Sequence, residues 1–429
     1  MSVRYARSEE LLARARKTIP LGAQTFSKSV TQYPLGVSPY FAERAKGSRL
    51  WDADGNEYID FINALASVTL GYCDPDVDGA VRAQLEKGTI YSLSHVLEAE
   101  VAEMICELVP SAEMVRFGKN GSDATSGAIR IARAFTGRDH VLSLGYHGWQ
   151  DWYVGATLRN KGVPASTSAL THALPYNDLP ALEAKLAELD GKVAAIIMEP
   201  MTFGTTKPGY LEGVRAAATK TGAILVFDET ITGFRVAMGG AQEHFGVTPD
   251  LTTLGKGVAN GYPLSVVCGR RDVMMEMEEV FFSFTMGGET LSLAAALATM
   301  KKLKTQPILK SIATVGERMS AGIRERIERH KVGGFISFSG HPAWNYLAIG
   351  DAPGTTSWEL KTLFEQEVFE RGILTLGAHN MSYAHTNEDV DHLLQVYDEV
   401  FAFLAKAVAN GAVRQYLRCE PLVPLFRVR

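Results

Sequence analysis

The sequence predicts an α/β fold: a large domain with a mostly parallel sheet, and a smaller α+β domain. Three observations carry this. Between about 75 and 300, short apolar runs bounded by Gly or Pro alternate with amphipathic helical stretches. Those runs, AAIIM and AILVF among them, are apolar throughout rather than alternating, as strands covered on both faces are. After about 300, two charged helical patterns flank antiparallel-looking strands such as AWNYLAIG.

In chain order, residues 3–17 repeat at helical spacing, and Pro20-Leu21-Gly22 ends that pattern. GSRLWDADGNEYIDF is a hairpin around Asp54-Gly55-Asn56. VDGAVRAQLEKG and LEAEVAEMICELV are amphipathic helices, while MVRFG, HVLSLG and SVVCG join the apolar strands. KKLKTQPILKSIATVGERMSAGIRERIERH and TSWELKTLFEQEVFERG are the helical patterns of the last third. These divisions place an N-terminal segment at 1–70, a large domain at 71–300 and a small domain at 301–429. With 429 residues the chain exceeds one ordinary core.

A net charge of −5, with 46% hydrophobic and 21% charged residues, fits a globular enzyme and disfavours nucleic acid as a partner. No apolar stretch is long enough to span a bilayer, and the charged start does not read as a secretory signal, so a cytoplasmic location is expected. The four cysteines are scattered without a C-x-x-C pair, which reads as reduced thiols rather than disulfides or zinc.

Five pieces carry chemistry. ILVFDETITGF ends an apolar strand at Asp228-Glu229, where ligands sit in open parallel sheets. Taken alone, a capping acid is the plainer reading. Lys256 stands between Gly255 and Gly257. Burial and cationic neighbours there would lower its pKa and free a nucleophilic amine, although most lysines are solvated surface groups. FGKNGSDATSGAIRIARAF runs through Gly121 and Ser122 into a helix start, an anion site or simply a capped helix. LGYHGW puts Tyr146 and His147 after a strand. Tyr146 can stack on a flat cofactor or fill a core, and His147 has no second ligand at metal spacing, so no metal is expected. Thr285, ahead of Gly287-Gly288, is a second possible phosphate contact or a cap.

Their order says more than any piece. An acid, a lysine 28 residues on, and an upstream Gly-Ser turn and aromatic match what pyridoxal 5'-phosphate (PLP) needs: an amine for its aldehyde, a carboxylate for its ring nitrogen and donors for its phosphate. A nicotinamide enzyme is disfavoured, because no G-x-G-x-x-G follows a strand.

The strings LWDADGNEYIDF, MVRFGKNGSDATSGAIRIARAFTGRD, GYHG, IMEP, FDETITGFRVAMGGAQEHFGVTPDLTTLGK and AHTNEDVD resemble the class III (subgroup II) aminotransferases, most closely the glutamate-1-semialdehyde 2,1-aminomutase branch. The likeness runs from about Pro20 to the HTNEDVD stretch. It implies fold type I with a seven-stranded-type sheet, and a homodimer with shared active sites. Lys256 is then the Schiff-base lysine and proton shuttle, and Asp228 the pyridinium partner. Gly121 and Ser122 form the phosphate cup, and Tyr146 is the stacking aromatic. His147, Glu199 and Thr230 stand near the cofactor, and Thr285 is lent by the neighbouring subunit.

Three departures touch the substrate shell. PLGAQTFSK offers Lys28 where the branch has an arginine, and lysine lacks the bidentate fork. The gating glutamate falls on Gly377, and the EPVAGNMG pattern reads EPMTFGTT. With Tyr146, His379 and Asn380, Lys28 would form a polar pocket for an oxygenated, carbohydrate-like carbonyl acceptor, aminated by a donor such as glutamate. An equally weighted reading makes His379 and Asn380 a self-satisfied turn. An aminomutase, a racemase or decarboxylase on the same fold, and a non-catalytic PLP-binding protein are the remaining alternatives.

Overall fold

The computed structural model describes residues 3–423 and divides into two compact units. The larger holds Ala66–Thr69 and Pro75–Leu309. Its centre is a seven-stranded sheet of β1 (Met114–Gly118), β2 (His140–Leu144), β3 (Thr171–Ala173), β4 (Val193–Met198), β5 (Ile224–Asp228), β6 (Leu251–Leu254) and β7 (Ser265–Gly269). The spatial order is β1-β7-β6-β5-β4-β2-β3. Only β7 runs antiparallel to its neighbours, so the carboxyl ends of the other strands share one edge.

The apolar runs behave as doubly covered strands. Every residue of β4 and β5 is buried. Val141, Ala195, Ile197, Ile224 and Val226 enter the core on one face, while Leu142, Leu144, Ile196, Met198, Leu225 and Phe227 enter the core on the other. Period-two alternation within continuous apolar runs therefore feeds two cores from the same strands. Helix α1 (Gly121–Thr136) packs on one of these faces through Ala124, Ala128, Ile131 and Ala132. Asp123 caps its start by accepting from the Asn120 N–H at 2.7 Å, and Gly137, at φ 65°, ends it.

The smaller unit joins residues up to Leu65, Leu70–Asp74 and the chain from Lys310 onward. The expected hairpin is present: Arg49–Asp52 pairs with Glu57–Asp60, and Ala42–Lys46 and Ile373–Leu374 complete a four-stranded sheet. Ile336–His341, Trp344–Ile349 and Ala378–Asn380 form an antiparallel sheet of three strands.

One expectation fails. The pattern beginning KKLK is not one helix, because Thr290–Thr305 ends before Pro307 and a second helix spans Ile308–Arg329. Proline excludes the helical conformation from the residue before it, and Gln306 is extended at φ −127°, ψ 151°.

Candidate active site at the carboxyl edge of the large sheet

The strand ends of the larger unit deliver the site. A cavity of about 310 Å³ opens there, lined by Gly121, Ser122, Tyr146, His147, Glu199, Asp228, Thr230 and Lys256. These come from the ends of β1, β2, β4, β5 and β6, so residues spread over 136 positions of sequence meet because five parallel strands stop at one edge.

Asp228, the last residue of β5, is 6% exposed. Its Oδ2 lies 2.8 Å from His147 Nδ1, and its Oδ1 accepts from Thr230 Oγ1 at 2.5 Å and Thr253 Oγ1 at 3.0 Å. Burial works to raise its pKa. The hydrogen bonds from His147 and Thr230 outweigh burial and hold the carboxyl below its ordinary value. Asp228 is therefore an anion whose orientation is set on both oxygens.

Lys256 follows β6 through Gly255 and is half-buried. Its φ of +43° is in the left-handed region, which a non-glycine residue occupies at a cost of about 1–3 kcal/mol. The chain turns sharply there rather than continuing the strand.

The helix start is arranged for an anion. The N–H groups of Gly121 and Ser122 belong to the first turn of α1, where a helix provides no partner of its own. Ser122 Oγ accepts from Trp149 N–H at 3.3 Å, which joins this turn to the Tyr146-His147-Gly148 loop. Gly148, at φ +104°, passes so close that a Cβ would lie 2.2 Å from Ser122 Oγ. Glu199, just beyond β4, accepts from the Tyr146 N–H at 3.0 Å. Tyr146 itself is 45% exposed and stands edge-on to Tyr153.

These features fit PLP. A buried carboxylate kept ionised suits a ring nitrogen that must stay protonated. A helix start suits the phosphate, and the tight Gly148–Ser122 approach leaves a cradle that a side chain would fill. The buried His147 Nε2 has no hydrogen-bond partner among the described residues. Its Nδ1 faces Asp228, which makes His147 a positioning residue for the acid.

Four residues expected from the sequence do not line this cavity. Thr285 is exposed, and lines a separate cavity with Ile90, Leu93 and Phe284 rather than the one around Lys256. Lys28, in the smaller unit, is exposed and borders a cavity of about 410 Å³ with Tyr33, Tyr40 and Tyr72. His379 needs correction as a substrate contact. Its ring is 0% exposed, its Nε2 is 2.7 Å from Tyr397 Oη, and it packs edge-on to Phe61. Asn380 likewise spends its amide on the Ile62 carbonyl. Both sit on a paired strand and are buried on its opposite faces, and not on a self-satisfied turn.

The sequence reading missed Thr253, Asn120 and Ser67. Thr253 had a signal, a hydroxyl inside the apolar run LTTL. Asn120 stands one residue before Gly121 in the FGKNGSD string, while Ser67 lines the cavity with no motif to announce it. Ser67 belongs to Ala66–Thr69, which is tied down by Arg235. That guanidinium, 1% exposed, donates to the Ala66 carbonyl at 2.8 Å and to Thr69 Oγ1 at 3.2 Å.

Residues 32–341 match the family model "Aminotransferase class-III". The chain is 36% identical over 426 residues to a glutamate-1-semialdehyde 2,1-aminomutase of Syntrophobacter fumaroxidans, covering 92% of this chain and 97% of that one. Among solved structures it is similar to the PLP internal aldimine form of the FumI protein of Sphingopyxis sp. MTA144, with TM-score 0.87 and 29% identity, covering 97% of this chain and 98% of that one. It is also similar to an omega-transaminase from Sphaerobacter thermophilus, with TM-score 0.85 and 26% identity, covering 94% and 100%.

Proposed function

Because this chain belongs to the class III aminotransferases, we propose that it moves an amino group from an amino-acid donor to an aldehyde or ketone, using PLP held by Lys256. When bound, the coenzyme supplies an aldehyde to take up the amine and a cationic ring to draw electrons from the neighbouring carbon. The remaining work falls to the protein. Lys256 would hold the coenzyme through its amine, and its Nζ would take up and return a proton as base and then acid. Asp228 would keep the ring nitrogen cationic. Gly121 and Ser122 would hold the phosphate and Tyr146 would lie against the ring, while Thr230 and His147 steady Asp228.

The observation that supports this most directly is an ionised, doubly anchored Asp228 in the same cavity as Lys256. Replacing Lys256 with Ala should abolish turnover while some coenzyme still binds. In the parent protein, borohydride should fix the coenzyme to Lys256. A colourless protein without that adduct, or a fully active Lys256→Ala variant, overturns the proposal.

The acceptor is read as an oxygenated carbonyl compound, and the altered EPMTFGTT stretch supports that choice, because its Thr202 lines a cavity that shares Glu199 with the Lys256 cavity. The protein is further read as a homodimer whose Thr285 serves the neighbouring copy. Exposed Leu93, Phe284 and Met286 near that threonine support an apolar interface. The similarity to an aminomutase favours a second reading, in which nitrogen stays on one molecule. Against it, Gly377 has a φ of +93°, and a Cβ there would lie 2.5 Å from the Leu347 carbonyl oxygen, so this backbone cannot carry a glutamate unchanged. Labelled nitrogen passing from glutamate to product would select the transaminase, and its absence the mutase.

A further inference from the structure

A second cavity of the larger unit, about 710 Å³, adjoins the site. It lies at the carboxyl ends of β2, β3 and β4 and shares Glu199 with the Lys256 cavity. Tyr153 and Leu174 give it apolar walls, and Tyr153 stands 5.7 Å from Tyr146. Thr202, from the altered EPMTFGTT stretch, adds a hydroxyl, as do Thr157 and Ser143. Ser143 is 2% exposed, and its hydroxyl has no hydrogen-bond partner among the described residues. A buried hydroxyl left without a hydrogen bond loses the partner that water would give it. A ligand oxygen reaching Ser143 recovers that loss. Among the described residues of the lining, the single charged group is the Glu199 carboxylate and none is cationic.

We infer that this chamber holds the substrate's side chain, and that the side chain is uncharged, largely apolar and bears a hydroxyl or ether oxygen that meets Ser143. The inference rests on the transaminase reading and narrows its substrate class. A carboxylate tail would enter beside Glu199 with no cation to meet it, and an unpaired buried charge is costlier than an unpaired hydroxyl. The size suits a side chain of several carbons, since small-molecule sites span about 300–1,000 Å³.

The test has two arms. In the first, the coenzyme-loaded full-length protein is given aminohexanol, hexylamine, aminohexanoate or ethanolamine, and discharge of the coenzyme's visible absorbance is followed. Aminohexanol should exceed aminohexanoate in kcat/KM by about tenfold or more, equivalent to about 1.4 kcal/mol. Ser143→Ala should cost aminohexanol about three- to tenfold, the worth of one neutral hydrogen bond, and leave hexylamine unchanged. Ala156→Phe, which fills the chamber, should lower both six-carbon neutral amines about tenfold and leave ethanolamine within about twofold. In the second arm, hexanol binding to the coenzyme-free protein is measured by calorimetry, with Ala156→Phe expected to abolish it. Preference for aminohexanoate, equal losses for long and short amines, or hexanol binding that is absent or indifferent to Ala156→Phe overturns the chamber. Hexanol that binds while no amine discharges the coenzyme overturns the transaminase reading, and with it the identity of the occupant.

Discussion

Asp228 shows how single contacts set the chemistry of this site. A buried carboxylate ordinarily gains a proton, yet His147 and Thr230 keep this one ionised. Asp228→Asn preserves shape but removes the charge. It should lower kcat by about 100- to 1,000-fold, as deleting a preorganised electrostatic contact does, and weaken coenzyme binding in an absorbance titration. His147→Ala removes a single charge-assisted hydrogen bond, worth about 1.5–3 kcal/mol, so the loss should be about 10- to 100-fold. Its second signature is in the pH profile. A depressed carboxylate serves above its ordinary pKa and fails as pH falls through its folded value. Losing His147 raises that value, and the acid limb of the kcat profile should move to higher pH. An unmoved limb would reduce His147 to packing.

Elements place these residues, and two places in the larger unit matter most. The loop after β2 must pass against the first turn of α1, and it does so at Gly148. Gly148→Ala combines a positive φ with a Cβ 2.2 Å from Ser122 Oγ, so the coenzyme's affinity should fall at least tenfold, as measured by equilibrium dialysis. The segment Ala66–Thr69 depends on Arg235. Arg235→Met keeps the apolar stem but leaves the Ala66 carbonyl unpaired. Unfolding followed by circular dichroism should show a loss of about 1–3 kcal/mol, and an unchanged midpoint would count against the clamp. At this scale the sequence was partly legible. The turn before α1 and the strand-ending acid could be read because capping and continuous apolar runs are local. The Arg235 clamp could not, since Arg235 is separated by 169 positions from the Ala66 carbonyl and nothing near either residue marks the pair.

At the scale of the whole molecule, buried titratable groups of the smaller unit shape stability. Burial pushes Glu365 up to about 8, against the weaker pull of Lys361, and pushes His379 down to about 3. Glu365 stabilises below the ordinary glutamate pKa, and that contribution is lost as pH rises toward 8. His379 acts in reverse, its contribution being present above the ordinary histidine pKa and lost as pH falls toward 3. The two slopes oppose each other between about pH 4.3 and 6.5. Stability measured by urea unfolding should therefore be flattest there and decline from about 6.5 to 8, and Glu365→Gln should remove that decline. Assembly gives a separate expectation. If the face around Thr285 is an interface, Leu93→Glu should shift the sedimentation of the protein toward the monomer and reduce turnover with it. A Leu93→Glu variant that sediments and turns over like the parent would place the interface elsewhere.

The sequence alone determined the α/β class and the coenzyme, and it singled out Lys256 and Asp228 as the residues to hold it. Each rests on a short string whose period or spacing carries its physical meaning locally. The family likeness then joined those strings into one site. Only the tertiary structure decided that His379 is a core residue of the smaller unit, that His147 anchors Asp228, and that Ser67 and Asn120 border the cavity. It also opened a chamber beyond Glu199. The reason is common to all of these. Burial and contact depend on which strands lie side by side, and β5 lies between β4 and β6 through pairings that no local pattern encodes.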